Sequence, residues 1–263
     1  PGYQPEQDLF IAETGNSFVG YMDINAELPI GRVILDCWVH PEHRRRGIAT
    51  RLLNSSMSRA KQMGAEIAHI NILESNKVAQ LALPRLGFNY VRRFLELRLD
   101  MEKTRWPDME QSPLQYRHLK QGEEELLTAV QNSSFTGTWG FSPNTLADIV
   151  FRLNIGSRSP EDVVLAYDGD NAIGYCWTET ASDLTSNTAR DMGRISMIGI
   201  VPAYQGRGFG KWVLMGGLAQ LKKRGLPAIE LTVDSQNKAA CSLYKSAGFK
   251  VRTGSFWYEK PVN

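Results

Sequence analysis

Within this 263-residue chain one interval recurs. Gly47 and Gly208 stand 161 positions apart, and the same interval joins Pro41 to Pro202, Asn76 to Asn237 and Gly87-Phe88 to Gly248-Phe249. Arg44-Arg45-Arg46-Gly47-Ile48-Ala49 also resembles Gln205-Gly206-Arg207-Gly208-Phe209-Gly210. Chance does not hold several landmarks at one spacing without an insertion. The interval predicts two tandem copies of one structural unit, and a chain of this length accommodates two ordinary domains.

The residues between the landmarks follow one plan in both copies. Val33–Val39 and Ile195–Val201 are apolar, β-branched runs ended by a proline, which predicts strands. A glycine-bearing turn follows each, then a helix: Ile48–Met63 in the first copy and Phe209–Arg224 in the second. Gly64 and Gly225 stand where glycine ends helices. Another strand is predicted next (Glu66–Leu73, Ala228–Val233), then a short helix opened by an asparagine (Lys77–Leu86, Lys238–Ala247). The strands Tyr90–Leu99 and Lys250–Lys260 close the two copies. The fold class is α/β, with a mixed sheet in each copy.

The copies differ at their front ends. Ahead of its motif strand the second has a strand (Leu114–Leu119), two helical stretches (Glu123–Asn132, Pro143–Leu153) and a hairpin (Val163–Tyr167, Ala172–Thr178). The first has room only for two strands, Leu9–Glu13 and Phe18–Ile24, and no helices. The first domain is therefore expected over residues 1–100, truncated at its front, and the second over 114–263. Met101–Pro113, polar and carrying Pro107 and Pro113, reads as the linker.

Composition excludes several functional classes. Lys and Arg total 30 against 28 Asp and Glu, so no charge excess suggests a nucleic-acid partner. The basic run His43–Arg46 sits at a turn and is explained there. Cys37, Cys176 and Cys241 form no CxxC pair, and His40 and His118 lack ligand spacing, so neither a metal nor a disulfide is expected. No apolar run approaches the roughly 18 residues of a membrane span, and Pro1–Asp8 carries no signal-peptide pattern. The expectation is a cytoplasmic protein without a membrane or nucleic-acid partner.

A strand that runs into a glycine-bearing turn and then a helix N-terminus makes an anion site. The free N–H groups and the helix dipole both favour negative charge, and glycine lets the backbone approach a phosphate. Such a turn alone is also compatible with a purely structural connection. The wider pattern decides: Gln205–Gly210 after a strand ending in Val201-Pro202, then Asn237-Lys238-Ala239-Ala240-Cys241-Ser242-Leu243-Tyr244-Lys245-Ser246-Ala247-Gly248-Phe249 some thirty residues on. This pair of motifs resembles the Gcn5-related N-acetyltransferases, and the tandem arrangement resembles mycothiol synthase-like members of that family.

The resemblance implies a sheet splayed between its fourth and fifth strands, with acetyl-CoA in the gap. It implies that Ile198, Gly199 and Ile200 offer backbone groups to the pantetheine arm. Gln205, Gly206, Arg207, Gly208, Phe209, Gly210 and Lys211 are then the pyrophosphate cradle, and Asn237 opens the next helix beside the cofactor. Tyr244 occupies the family's general-acid position, and the Ile198 amide is the oxyanion donor by analogy. As the base, some members carry a glutamate where this chain has Thr232; mycothiol synthases carry an acid where it has Arg194. Glu230, on the same strand face as Thr232 by period-2 alternation, is the first candidate; Glu179, Asp183 and Asp191 lie nearby.

In the first copy Leu83 stands where the second has Tyr244, and Pro84 follows inside the helix, where proline breaks the hydrogen-bond ladder. That copy is expected to be catalytically silent. Trp139, Phe141 and Trp177 are candidates for the acceptor wall, though aromatic residues are more often core. Trp212 and Trp257 are expected to pack, and Cys241 to act as a small hydrophobe. The functional expectation is acetyl transfer from acetyl-CoA to the primary amine of a small molecule. The alternatives are an N-terminal amine of a protein or peptide, or a non-catalytic acyl-CoA sensor.

Overall fold

The computed structural model describes residues 3–104, 106–156, 158–180 and 192–262. Contacts divide the chain into two units, Pro1–Phe94 with Gly254–Asn263, and Leu95–Thr253.

The first unit opens with a helical turn, α1 (Pro5–Asp8), then β1 (Leu9–Thr14), β2 (Ser17–Glu27) and β3 (Arg32–Val39). Next come α2 (Ile48–Gln62), β4 (Ile67–Leu73), α3 (Lys77–Arg85) and the beginning of β5 (Asn89–Asp100). β1, β2 and β3 pair antiparallel, and β3 pairs parallel with β4. The far side of β4 is taken, antiparallel, by Ser255–Pro261 at the end of the last strand, β11 (Lys250–Pro261). The core forms because strand alternation sends Met22, Ile24, Val33 and Leu35 to one side, where α2 presents Leu52, Leu53 and Ala60 at helical spacing. Tyr258 of β11 joins that core.

The second unit holds the remainder of β5, then β6 (Gln115–His118), α4 (Glu124–Phe135), α5 (Leu146–Leu153), β7 (Val163–Asp168) and β8 (Asn171–Thr180). It continues with β9 (Met192–Ile200), α6 (Phe209–Lys223), β10 (Ala228–Asp234), α7 (Lys238–Ser246) and the first residues of β11. The strands β6 to β9 pair antiparallel in sequence, β9 pairs parallel with β10, and β5 follows β10. α6 packs closely on β8 and against Tyr116 of β6: a Cβ on Gly217 would run into the Cys176 side chain, and one on Gly216 would stand 2.8 Å from the Tyr116 ring. Fully burying leucines such as Leu214 and Leu218 contributes roughly 1.5–3 kcal/mol each.

The interval of 161 carries into the elements. α6, β10, α7 and β11 begin and end at the positions of α2, β4, α3 and β5 moved by that interval. Pro84 does not shorten its helix: α3 spans nine residues, as α7 does. It lies second from the end, where the helix loses only one donor, and Leu86 N–H still reaches Ala82 and Leu83 carbonyls at 3.1 and 3.0 Å. Ahead of β2 the described residues of the first unit form β1 and the helical turn α1, which the sequence did not predict, whereas α4 and α5 of the second cover a separate core around Leu127, Ile149, Tyr175 and Trp177. Among the described residues no helix is long and apolar enough to cross a membrane.

Candidate active site

β9 and β10 are paired over only part of their length. The ladder joins Met192–Ile195 to Ala228–Leu231, while β9 runs on to Ile200 and β10 to Asp234. The sheet opens beyond Ile195, as the resemblance implied, and the β9 groups that point toward β10 there have no strand to bond. A bulge lies at the vertex: the β8–β9 register passes from Trp177↔Met197 to Thr178↔Ile195, leaving Ser196 as the extra residue. Bulges bend a strand and increase its twist, which turns Met197–Ile200 away from β10. β2 and β3 of the first unit pair without such a shift.

At the far end of β9 the chain makes a short 3-10 turn, Pro202–Tyr204, then Gln205, and enters α6 through two left-handed glycines, Gly206 (φ +75°) and Gly208 (φ +82°). No side chain caps α6, so its first N–H groups remain available. A Cβ on Gly206 or Gly208 would meet nothing within 4 Å, so these glycines serve backbone conformation and the space above them is open. Gln205 Nε2 donates to the Ile200 carbonyl at 2.8 Å and closes the turn; Arg44 Nε donates to Val39 at 3.0 Å in the matching place of the first unit. The Arg207 guanidinium stacks 5.2 Å over the Tyr204 ring, the Phe209 ring sits beside Tyr204, and Lys211 lies over Trp212. A Cβ at Gly210 would lie 3.4 Å from Leu243 of α7, an ordinary packing contact. These features fit a diphosphate: open space, uncapped amides and two cationic side chains at one helix N-terminus.

Asn237 caps α7, accepting from Ala240 N–H at 3.0 Å. About two helical turns further on, Tyr244 is buried in the core that includes Ile198, Leu231 and Val233, edge-on to Phe249 with ring centroids 5.7 Å apart. Burial, then the nearby Cys176 and Cys241 thiols, holds its phenol protonated far above the usual tyrosine range. A neutral phenol is the form a proton donor needs. Leu83 occupies the corresponding place in the core of the first unit.

Glu230 lies on the other face of β10, since Ile229, Leu231 and Val233 face the core that holds Tyr244. Its carboxylate accepts from Arg252 at 2.6 Å and stands 3.8 Å from Arg98. The sequence alone gave no sign of these two arginines as its partners, which come from β11 and β5. Glu230 faces Arg194 directly across the ladder, and Arg194 faces Glu179 on β8. Arg194 Nη2 donates to the Thr232 hydroxyl at 3.1 Å, and Glu179 pairs with Arg158 at 3.0 Å. Asp183 and Asp191 lie outside the described residues.

The suggested acceptor wall changes in part. Trp177 is 3 % exposed and belongs to the core under α4 and α5, and Phe141 stacks on Phe135 at 5.3 Å. Trp212 packs against the core of the second unit, and Trp257 packs on His69 and Phe94. Burial raises the Cys241 thiol above its ordinary value and disfavours the thiolate. No group of three metal-ligating side chains is found among the described residues.

Known proteins resemble this chain in sequence and in fold. The mycothiol acetyltransferase of Pseudarthrobacter chlorophenolicus is 29 % identical over 251 residues, covering 94 % of this chain and 75 % of its own length. That of Renibacterium salmoninarum is 30 % identical, covering 86 % and 67 %. A GCN5-related N-acetyltransferase from Sphaerobacter thermophilus has the same fold at TM-score 0.76 and 19 % identity, over 100 % of this chain and 83 % of the other. A tandem GNAT protein from the clavulanic acid biosynthesis pathway matches at TM-score 0.70 and 14 % identity, over 97 % and 83 %. The sequence profile described as Acetyltransferase (GNAT) family matches residues 2–88 and again 125–249, one stretch in each copy, and the chain belongs to that family of acyltransferase enzymes.

Proposed function

We propose that the second unit transfers an acetyl group from acetyl-CoA to a primary amine of a small molecule. The observation that carries this reading is the parting of β9 from β10 immediately before an uncapped helix N-terminus. A ligand with an anionic end and an extended polar arm fits that pair of features, the arm bonding Ile198, Gly199 and Ile200 as an added strand does. Gln205 to Lys211 hold the diphosphate, and Asn237 shapes the α7 start beside it. Relatives named mycothiol acetyltransferases favour a small-molecule acceptor.

Acetyl-CoA supplies the acyl group as a thioester. The amine nitrogen forms a bond to the acyl carbon, the carbon–sulfur bond breaks, and the sulfur leaves with a proton from Tyr244. The Ile198 N–H is the donor to the transient oxyanion. The proton released by the amine passes to Glu230 or to water. The first unit keeps the turn geometry, with Gly47 at φ +76°, but Leu83 has no proton to give, so it is catalytically silent.

Calorimetric titration of acetyl-CoA, with thiol release read against a panel of amines, tests the assignment. Gly208→Glu places a negative charge in the cradle and should abolish turnover, while Gly47→Glu should leave turnover intact. Loss of turnover with Gly47→Glu alone would place the chemistry in the first unit. Acetyl-CoA binding with no thiol release for any amine would favour a sensor.

A further inference from the structure

One face of the second unit's sheet carries a row of charged side chains, and one member stands apart from the rest. Glu179, Arg194 and Glu230 are direct neighbours across β8, β9 and β10. Glu179 is held by Arg158 at 3.0 Å. Glu230 is held by Arg252 at 2.6 Å, with Arg98 at 3.8 Å, and Arg252 also reaches Glu96 at 3.1 Å. Each carboxylate of the row thus has its own arginine. No ion pair joins Arg194 to an acid among the described residues; its guanidinium bonds the Thr232 hydroxyl, and the residue is exposed.

The position of Arg194 is as informative as its charge. It precedes Ile195, the last β9 residue in the ladder, and Thr232 follows Leu231, the last on β10. The guanidinium therefore spans the two strands at the vertex where they part. It does so on the face that Tyr175 and Trp177 share with α4 and α5, opposite the core that holds Tyr244. A planar guanidinium whose neighbouring acids among the described residues are already neutralised is suited to bidentate recognition of a carboxylate. The same charge disfavours an acceptor that carries a second ammonium group.

We propose that Arg194 reads the acceptor, selecting primary amines that also bear a carboxylate, of the amino-acid or short-peptide class. The inference rests on the second unit acting as an amine acetyltransferase, and its test separates the two. Glycine, β-alanine and glycylglycine, each matched with its own carboxamide, are presented to the CoA-loaded protein. Binding is read by saturation-transfer NMR, and thiol release from acetyl-CoA is read in parallel. The wild type should bind at least one acid ten or more times more tightly than its amide. Arg194→Met should remove that preference by weakening the acid alone, Arg194→Lys should restore part of it, and CoA affinity should stay the same in all three proteins. Equal binding of every acid and its amide by the wild type, or an equal loss of both in Arg194→Met, overturns the proposal. An acid preference that depends on Arg194 but is accompanied by no thiol release leaves this proposal standing and sinks the transferase reading instead.

Discussion

Tyr244 shows how one side chain separates two copies of the same fold. Its ring packs on Phe249 in a core, and its hydroxyl gives it a transferable proton that Leu83, at the matching place of the other unit, does not have. Tyr244→Phe keeps the ring, so the thermal melt should change little, while kcat should fall by about a hundredfold or more, the usual range for a lost general acid. Steady-state thiol release decides: unchanged turnover removes Tyr244 from the mechanism. Leu83→Tyr should create no second activity, which thiol release from the double variant Leu83→Tyr/Tyr244→Phe checks. His69, buried on β4, makes a different residue-level prediction. Burial, then the Arg32 charge, lowers its pKa from 6.5 to about 4. As pH falls, the unfolded chain takes up the proton first, so stability is complete above about 6.5 and declines toward 4. Melting temperatures across that window should drop in the wild type and drop less in His69→Leu.

At the scale of elements, the repeat made most of the architecture legible. Helix and strand limits followed from apolar periodicity and from glycine and asparagine at helix ends, since local backbone preferences set them. The capping bonds carry a direct prediction. Asn76 and Asn237 accept from Ala79 and Ala240 at 3.1 and 3.0 Å, so Asn76→Ala and Asn237→Ala should each cost about 1 kcal/mol in denaturant titration. Markedly different costs would mean that the two helices are held by different forces. What the sequence did not reveal depends on non-local pairing. The bulge at Ser196 exists only relative to β8, and no property of Ser196 announces it. Arg98 and Arg252 reach Glu230 from strands distant in sequence. Trp177 looked available for an acceptor until α4 and α5 were seen to cover it. Pro84 was expected to break the ladder inside its helix, yet it falls where the last turn tolerates a missing donor.

For the whole molecule, the way the chain is divided leads to a stringent test. The polar stretch with Pro107 and Pro113 suggested a place where the copies separate, but the contacts divide the chain within β5 and within β11. Leu97 and Leu99 of β5 belong to the core of the second unit, and Phe256 and Tyr258 of β11 pack into the core of the first. Cutting between Pro113 and Leu114 therefore damages both products. The fragment 1–113 loses the strand Ser255–Pro261 that pairs with β4. The fragment 114–263 loses Leu97, Leu99 and Met101, exposed by 5, 2 and 6 % in the intact chain. At roughly 1.5–3 kcal/mol for each such side chain, that loss rivals the 5–15 kcal/mol by which a domain is typically stable. Each fragment expressed alone should lack a cooperative thermal transition and dispersed amide resonances, whereas co-expressed fragments should copurify and regain both. A sharp melt from either fragment alone would mean that the strands shared between units add little to stability. In that case a linker cut would give two independent domains.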